Sequence, residues 1–260
     1  MRLLSKNKVE VRGKVFGGPN PLICLPLVAK EKSELLQQAG ELIQLAPDLL
    51  EWRIDSYDKV EDVDDCLAAL ASLREKIGNT PIIFTCRVEA EGGFKRISAD
   101  TRLNLIQAAV GTGRLDLVDV EMSNETIFLE KVKETAARHG TKLIFSYHNF
   151  EFTPDEAFIV DKLVQAQEMG ADIAKVAVMP KNYKDVLVLL NATLKARMEF
   201  LSVPIVSMSM GPEGGVTRLA GGLFGSDLTF AVGKELSAPG QIPIGDLRKA
   251  IAVLYDLKTI

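Results

Sequence analysis

Histidine, cysteine and excess positive charge are what this chain has least of. Among its 260 residues are two histidines, three cysteines and one tryptophan, and Lys plus Arg (31) falls short of Asp plus Glu (35), for a net charge of −4. An acidic chain with a pI near 5.4 has no surplus of cations for the broad basic face that nucleic-acid phosphates require. The cysteines, Cys24, Cys66 and Cys86, are odd in number, sit inside apolar segments and lack metal-ligand spacing. Buried free thiols in a reducing cytoplasm are therefore expected, rather than a disulfide framework. No uncharged stretch has the length of a membrane span, and Met1 to Phe16 mixes charged with apolar residues where a signal peptide needs an apolar core. No GxGxxG follows an early apolar run, so the usual dinucleotide fingerprint is missing. These absences leave a cytoplasmic protein whose partners are small molecules, with no role for nucleic acid or membrane.

What the chain does have is a repeat. Runs rich in Val, Ile, Leu and Phe recur at 22–28, 49–54, 82–86, 115–120, 143–145, 173–178, 205–208 and 228–232, most of them about thirty residues apart, the length of a strand and its crossover helix. Helical stripes lie between them: Leu35, Ala39, Leu42, Ile43 and Ala46, then Val63, Cys66, Leu67, Leu70 and Ile77, then Val186, Leu189, Leu190 and Leu194. Gly78, Gly113, Gly140 and Gly170 fall where each helix should give way to a strand, a position that favours a left-handed residue. Strands without internal alternation are buried on both faces, as in a parallel sheet. Eight such units predict an α/β fold, a (β/α)₈ TIM barrel formed as one domain over residues 1–260. An open doubly wound sheet is the alternative, with fewer strands and a nucleotide fingerprint. Residues 8 to 16 alternate with period two and predict a short N-terminal β-hairpin closing the bottom of the barrel.

Barrel chemistry sits at the C-terminal ends of strands. Those places hold Glu51, Arg53 and Asp55, then Arg87 and Glu91, Asp119 and Glu121, His148, Lys175, Met208 and Met210, Arg218, and finally Ser237 and Gln241. A lysine in a strand is most often a solvated edge residue. Within Asp-Ile-Ala-Lys175-Val-Ala-Val-Met, however, it must pair, face the barrel mouth or lose its proton more easily than usual, and a neutral amine there is an imine-forming nucleophile. His148 reads either as a hydrogen-bonded core histidine or, with Glu91 on its other ring nitrogen, as an oriented base. Arg53, Arg87 and Arg218 read as ion pairs with the neighbouring acids or as an anion-binding group. Met208 and Met210 are core or pocket wall. The glycines of 211–222 either cradle a phosphate or merely let the backbone turn while Arg218 binds a carboxylate. Transition-metal spacing is lacking, which leaves only an oxygen-ligated magnesium open.

Taken together, Glu51-Trp-Arg53-Ile-Asp55, Thr85-Cys-Arg87 with Glu91-Gly-Gly, Ser146-Tyr-His148-Asn-Phe-Glu-Phe-Thr-Pro154, Ala174-Lys175, Ser207-Met208-Ser-Met210-Gly211, Thr217-Arg218 and Ser237-Ala-Pro-Gly-Gln241 resemble the type I 3-dehydroquinate dehydratases, in order and over nearly the whole chain. The resemblance implies a hydro-lyase of the shikimate pathway, which feeds aromatic amino acid biosynthesis. It converts 3-dehydroquinate to 3-dehydroshikimate by syn elimination through a lysine Schiff base, with no cofactor and no metal. It also implies Lys175 as nucleophile, His148 as acid and base, Glu91 as its orienting carboxylate, Arg218 on the substrate carboxylate, and Glu51, Arg53, Arg87, Met208, Ser237 and Gln241 as further substrate contacts. Ser237 and Gln241 would sit in a closing lid, and the assembly would be a homodimer. Two other readings share the lysine or the fold: a Schiff-base aldolase, which should need a phosphate on its substrate, and a sensor of a cyclic acid, which has no need of a nucleophile and base.

Overall fold

A computed structural model describes residues 2–233 and 238–255. It begins with a hairpin of β1 (Val9–Val11) and β2 (Lys14–Phe16). Arg12 and Gly13 turn it with φ of 47° and 78°, the double positive φ of a two-residue hairpin loop whose twist matches its strands. Parallel strands follow: β3 (Leu22–Leu27), β4 (Leu49–Arg53), β5 (Ile82–Thr85), β6 (Leu117–Glu121), β7 (Lys142–Asn149), β8 (Ile173–Val178), β9 (Ile205–Ser209) and β10 (Leu228–Val232). From β3 to β9 each pairs with its neighbour in sequence, and β10 pairs with β3. Between β9 and β10 the ring closes through a single parallel bridge, Ile205 to Ser226, with the Asp227 N–H donating to the Ile205 carbonyl at 2.6 Å. A two-residue β11 (Ile242–Pro243) extends the end of β10. The result is the expected (β/α)₈ barrel.

The helices are α1 (Lys32–Ile43), α2 (Val63–Ile77), α3 (Ala99–Gly111), α4 (Thr126–His139), α5 (Glu156–Glu168), α6 (Tyr183–Lys195), α7 (Gly215–Ala220) and α8 (Ile244–Tyr255). Asp62, Ser98, Asp155 and Asn182 cap α2, α3, α5 and α6 with side-chain oxygens, each contact contributing about 1 kcal/mol. Gly78, Gly113, Gly140 and Gly170 all have positive φ at or just after a helix end. Ala46, expected on the α1 stripe, instead follows the helix with φ 49°. No helix among the described residues is long and apolar enough to cross a membrane.

Strand alternation divides the apolar residues into two cores. Ile23, Leu25, Leu50, Trp52, Phe84, Val118, Phe145, Ala174 and Val176 face outward and pack against the helices through Leu35, Leu70, Leu105, Val132, Leu163 and Leu189. Inside the barrel lie Leu22, Leu49, Ile83, Leu117, Ile144, Ile173, Val206 and Leu228, in one cluster with Val9, Val11 and Phe16 of the hairpin. These inner residues occupy the N-terminal parts of their strands, so the hairpin seals that end. All three cysteines are buried and free. The polar inner residues are left for the opposite end.

Candidate active site

The same alternation that points Leu49 inward sends Glu51 and Arg53 inward after it, while Trp52 packs outward edge-on to Tyr57 and Phe84 at 6.0 and 5.6 Å. Repeated around the ring, it brings Glu51, Arg53, Arg87, His148, Lys175, Met208 and Met210 to the wall of one pocket at the C-terminal mouth, which Glu91, Arg218 and Gln241 join from the segments that follow the strands. Of the strand-end candidates, Asp55, Asp119 and Glu121 do not line this pocket but pair with the cations that do, and Ser237 lies outside the described residues. Phe150, Ala177, Phe230 and Ala238 line it as well. Of these, Phe230 was open to sequence reasoning, because it stands two residues after the inward-facing Leu228.

Lys175 is only 4% exposed. Its Nζ donates to Asp119 Oδ2 at 2.5 Å, stands 3.9 Å from Glu51 Oε1 and lies 4.9 Å above the Phe230 ring. It therefore both pairs and faces the mouth. Asp119, read from the sequence only as a partner for arginine, is its nearest carboxylate. Its other oxygen accepts from Arg87 Nη1 at 2.9 Å and from Ser146 Oγ at 2.6 Å. Burial alone would raise the Asp119 pKa; Arg87 and Lys175 outweigh it and hold the carboxyl well below its usual range. Glu51 accepts from Thr85 Oγ1 at 2.9 Å.

The three arginines differ. Arg87 is bound to Asp119 and, at 2.7 Å, to Glu121. Arg53 forks onto Asp55 with bonds of 2.9 and 2.8 Å and lies 4.8 Å over the Phe94 ring. Both are paired within the protein, as one of their two sequence readings anticipated. Arg218 has no carboxylate partner among the described residues: Nη1 and Nη2 donate to the Phe230 and Pro239 carbonyls at 3.3 and 3.0 Å, and its buried Nε is unsatisfied. Burial pulls its pKa down to about 10, leaving it charged at neutral pH. A buried, unpaired guanidinium at the pocket wall is a ready site for an anionic group. The glycine-rich stretch before it serves backbone approach. A Cβ on Gly214 would stand 2.1 Å from the Ser209 carbonyl oxygen, and Thr217 Oγ1 accepts from the Ser209 N–H at 3.0 Å.

His148 meets Glu91 twice. Glu91 Oε2 accepts from the His148 backbone N–H at 2.8 Å and lies 3.2 Å from its Nδ1, while Oε1 accepts from Ser123 Oγ at 2.6 Å. Burial, followed by the Ser123 bond and the charge of Glu121, sets the Glu91 pKa at about 6. Burial first, then Arg87 and Lys175, push the His148 pKa well down. The imidazole is neutral at pH 7 with its Nδ1 side taken by a carboxylate, which is the form of a general base.

Fold and site define a (β/α)₈ barrel whose mouth holds a buried amine, a carboxylate-oriented imidazole and a guanidinium with no carboxylate partner among the described residues. The sequence model for type I 3-dehydroquinase matches residues 23–258, and the chain belongs to that family. It is 43% identical over 252 residues to the 3-dehydroquinate dehydratase of Geobacillus thermodenitrificans, covering 96% of this chain and 97% of that one. The crystal structure of 3-dehydroquinate dehydratase from Geobacillus kaustophilus superposes with a TM-score of 0.96 at 42% identity over 100% of both chains. A type I enzyme from Clostridium difficile, solved with covalently modified comenic acid, gives 0.93 at 40% identity, over 96% of this chain and 98% of the other.

Proposed function

We propose that this protein is a 3-dehydroquinate dehydratase that eliminates water from 3-dehydroquinate through an imine on Lys175, the dehydration step of the shikimate pathway. The observation that carries this reading is the buried Lys175 amine sharing a pocket wall with the His148–Glu91 pair and Arg218. Arg218 binds the ring carboxylate and thereby sets the ketone against Lys175. Glu51, Arg53, Arg87, Met208 and Gln241 contact the ring and its hydroxyls, with Ser237 as a further contact.

The amine adds to the ketone and water leaves, and with the proton that the Lys175 ammonium gave up to become nucleophilic taken back, the product is a protonated imine. His148 removes a proton from the adjacent carbon, and the electron pair flows to nitrogen as a neutral enamine. The pair then returns to expel the hydroxyl on the same face, which departs as water with the proton carried by His148. Hydrolysis of the conjugated imine frees the product and Lys175. Glu91 keeps the imidazole oriented and offsets its positive charge between the two proton transfers. The chain works as one barrel domain in a cytoplasmic homodimer; the free, buried cysteines agree with a reducing compartment.

The test is borohydride reduction in the presence of 3-dehydroquinate, followed by intact-mass measurement and peptide mapping. A ligand-sized mass gain is expected on Lys175, with none in the folded Lys175→Ala variant and no turnover by it. A folded variant that still eliminates water would overturn the mechanism.

A further inference from the structure

We propose that Asp119 is a catalytic residue, the fixed counterion that keeps the Lys175 nitrogen protonated once it has become an imine. The inference rests on Lys175 being the nucleophile, as read above. Two features of the geometry lead to it. The carboxylate divides its oxygens: Oδ1 is held by Arg87 and Ser146 at 2.9 and 2.6 Å, and Oδ2 is left to Lys175 Nζ at 2.5 Å. Asp119 is also completely enclosed, its side chain 0% exposed, so water does not screen the pair.

The chemistry supplies the reason. Condensation of an ammonium with a ketone gives an iminium and water, and the positive charge stays on the same nitrogen. That nitrogen has three N–H donors as ammonium and one as iminium, so it needs one acceptor fixed in place. The protonated imine of a simple ketone gives up its proton near neutrality, and the neutral imine that results is a poor electron sink. Arg87 would drive that proton off, as would Arg218 across the pocket. Against them stand Asp119 at 2.5 Å and Glu51 at 3.9 Å, with Glu121 occupied by Arg87. Among the described residues, Cys24, on β3, and His148, on β7, also feel this charge, while Arg53 and Glu91 line the same pocket, Arg53 paired with Asp55 and Glu91 with His148. Burial raises Cys24 well above its usual range and lowers His148, so both are neutral. Asp119 is the only one of these groups that is anionic, rigidly tethered and in hydrogen-bond contact with the reacting nitrogen.

A carboxylate at this distance raises the pKa of a cation by about 1 to 3 units. The experiment compares wild type with Asp119→Asn from about pH 6 to about pH 9, reading kcat, KM and the rate of borohydride capture with 3-dehydroquinate. In the variant the alkaline limb of both kcat and capture is expected to move down by about 1 to 3 pH units. The ratio of wild-type to variant kcat then widens roughly tenfold per pH unit between the two inflections, while KM stays with Arg218. A constant ratio at every pH, in folded variant, would leave Asp119 with a packing role and overturn the proposal. Should the variant fail to fold, wild type alone decides: capture that loses rate through neutrality would show that no counterion holds the proton, and capture that is level to about pH 8 or beyond supports one. Wild type that forms no adduct, or Lys175→Ala that forms one as before, would instead remove the nucleophile and the proposal with it.

Discussion

Burial acts on His148 and Glu91 in opposite senses, and between them it sets a pH window. Desolvation disfavours the imidazolium and the carboxylate alike, so His148 is held neutral far into acid while the Glu91 pKa rises to about 6. On lowering the pH, Glu91 is therefore the first of the two to change. Below about 6 it is protonated and no longer offers a charged acceptor to the imidazolium that proton abstraction creates. The kcat profile is expected to rise with pH through an inflection near 6. Glu91→Gln should remove that inflection and lower the plateau by roughly 10²-fold. A pH-rate series on the two proteins checks it, and an unchanged acid limb in the Gln variant would assign the limb elsewhere. At this scale the sequence showed which residues meet but not how they pair. Arg53, Arg87 and Arg218 look alike as strand-end cations, and only the positions of Asp55, two residues after Arg53, and of Asp119 and Glu121, on the strand beside Arg87, separate two neutralised arginines from the one with no carboxylate partner among the described residues. Asp119 escaped assignment for the same reason, since its contact with Lys175 spans 56 positions of chain.

Elements were readable where they are apolar and less so where they carry the chemistry. The runs at 173–178 and 228–232 coincide with β8 and β10. The run at 143–145, by contrast, lies in the first half of β7, which extends to Asn149 and pairs His148 with Ala177 and Asn149 with Val178. Polar and aromatic residues at the mouth interrupt the apolar signal just where the strand enters the site. The loop after β5 shows how backbone, rather than side chains, sets a catalytic position. A short 3₁₀ turn over Glu89–Glu91 is followed by Gly92 at φ 88° and by Gly93, where an added Cβ would stand 2.3 Å from the Arg87 carbonyl oxygen and 2.8 Å from the Val88 carbonyl carbon. Both contacts are with backbone, so relief requires the loop that carries Glu91 to move. Gly93→Ala is expected to cost about 1–3 kcal/mol of stability and to lower kcat by up to about 10²-fold through misplacement of Glu91. Imine capture on Lys175, carried by a different strand, should persist. Denaturant titration, steady-state kinetics and borohydride capture on the one variant test all three parts, and loss of capture along with kcat would mean that the damage is not confined to the loop.

Across the whole molecule the barrel axis separates stability from chemistry. The inner apolar cluster fills the N-terminal end with Leu22, Leu49, Ile83, Leu117, Ile144 and Ile173 under the hairpin, and ion pairs tie that end together. Asp116 holds Arg12 of the hairpin turn at 2.5 Å and Arg74 of α2 at 2.6 Å, and Asp227 is shared by Arg2 and Arg197. The eightfold repeat and the hairpin could be read from periodicity, because both are written in apolar spacing. The closure of the ring could not, since it is made by Ser226 and Asp227, polar residues that precede the apolar run of β10. Charged inner residues gather at the opposite end, where Lys175, Glu51 and Arg87 line the pocket. This division predicts the outcome of opening the bottom of the barrel. Phe16 is 0% exposed and is the largest hairpin side chain in the inner cluster. Phe16→Ala should cost about 3–5 kcal/mol through lost burial and the cavity left behind. The strand ends that bear Lys175, His148 and Glu91 have no contact with that cavity, and distant sites without shared partners act independently, so kcat and KM of the folded variant should match wild type. Chemical denaturation gives the first quantity and kinetics below the midpoint the second. A fall in kcat at full folding would mean that the packed floor of the barrel also positions the residues at its mouth.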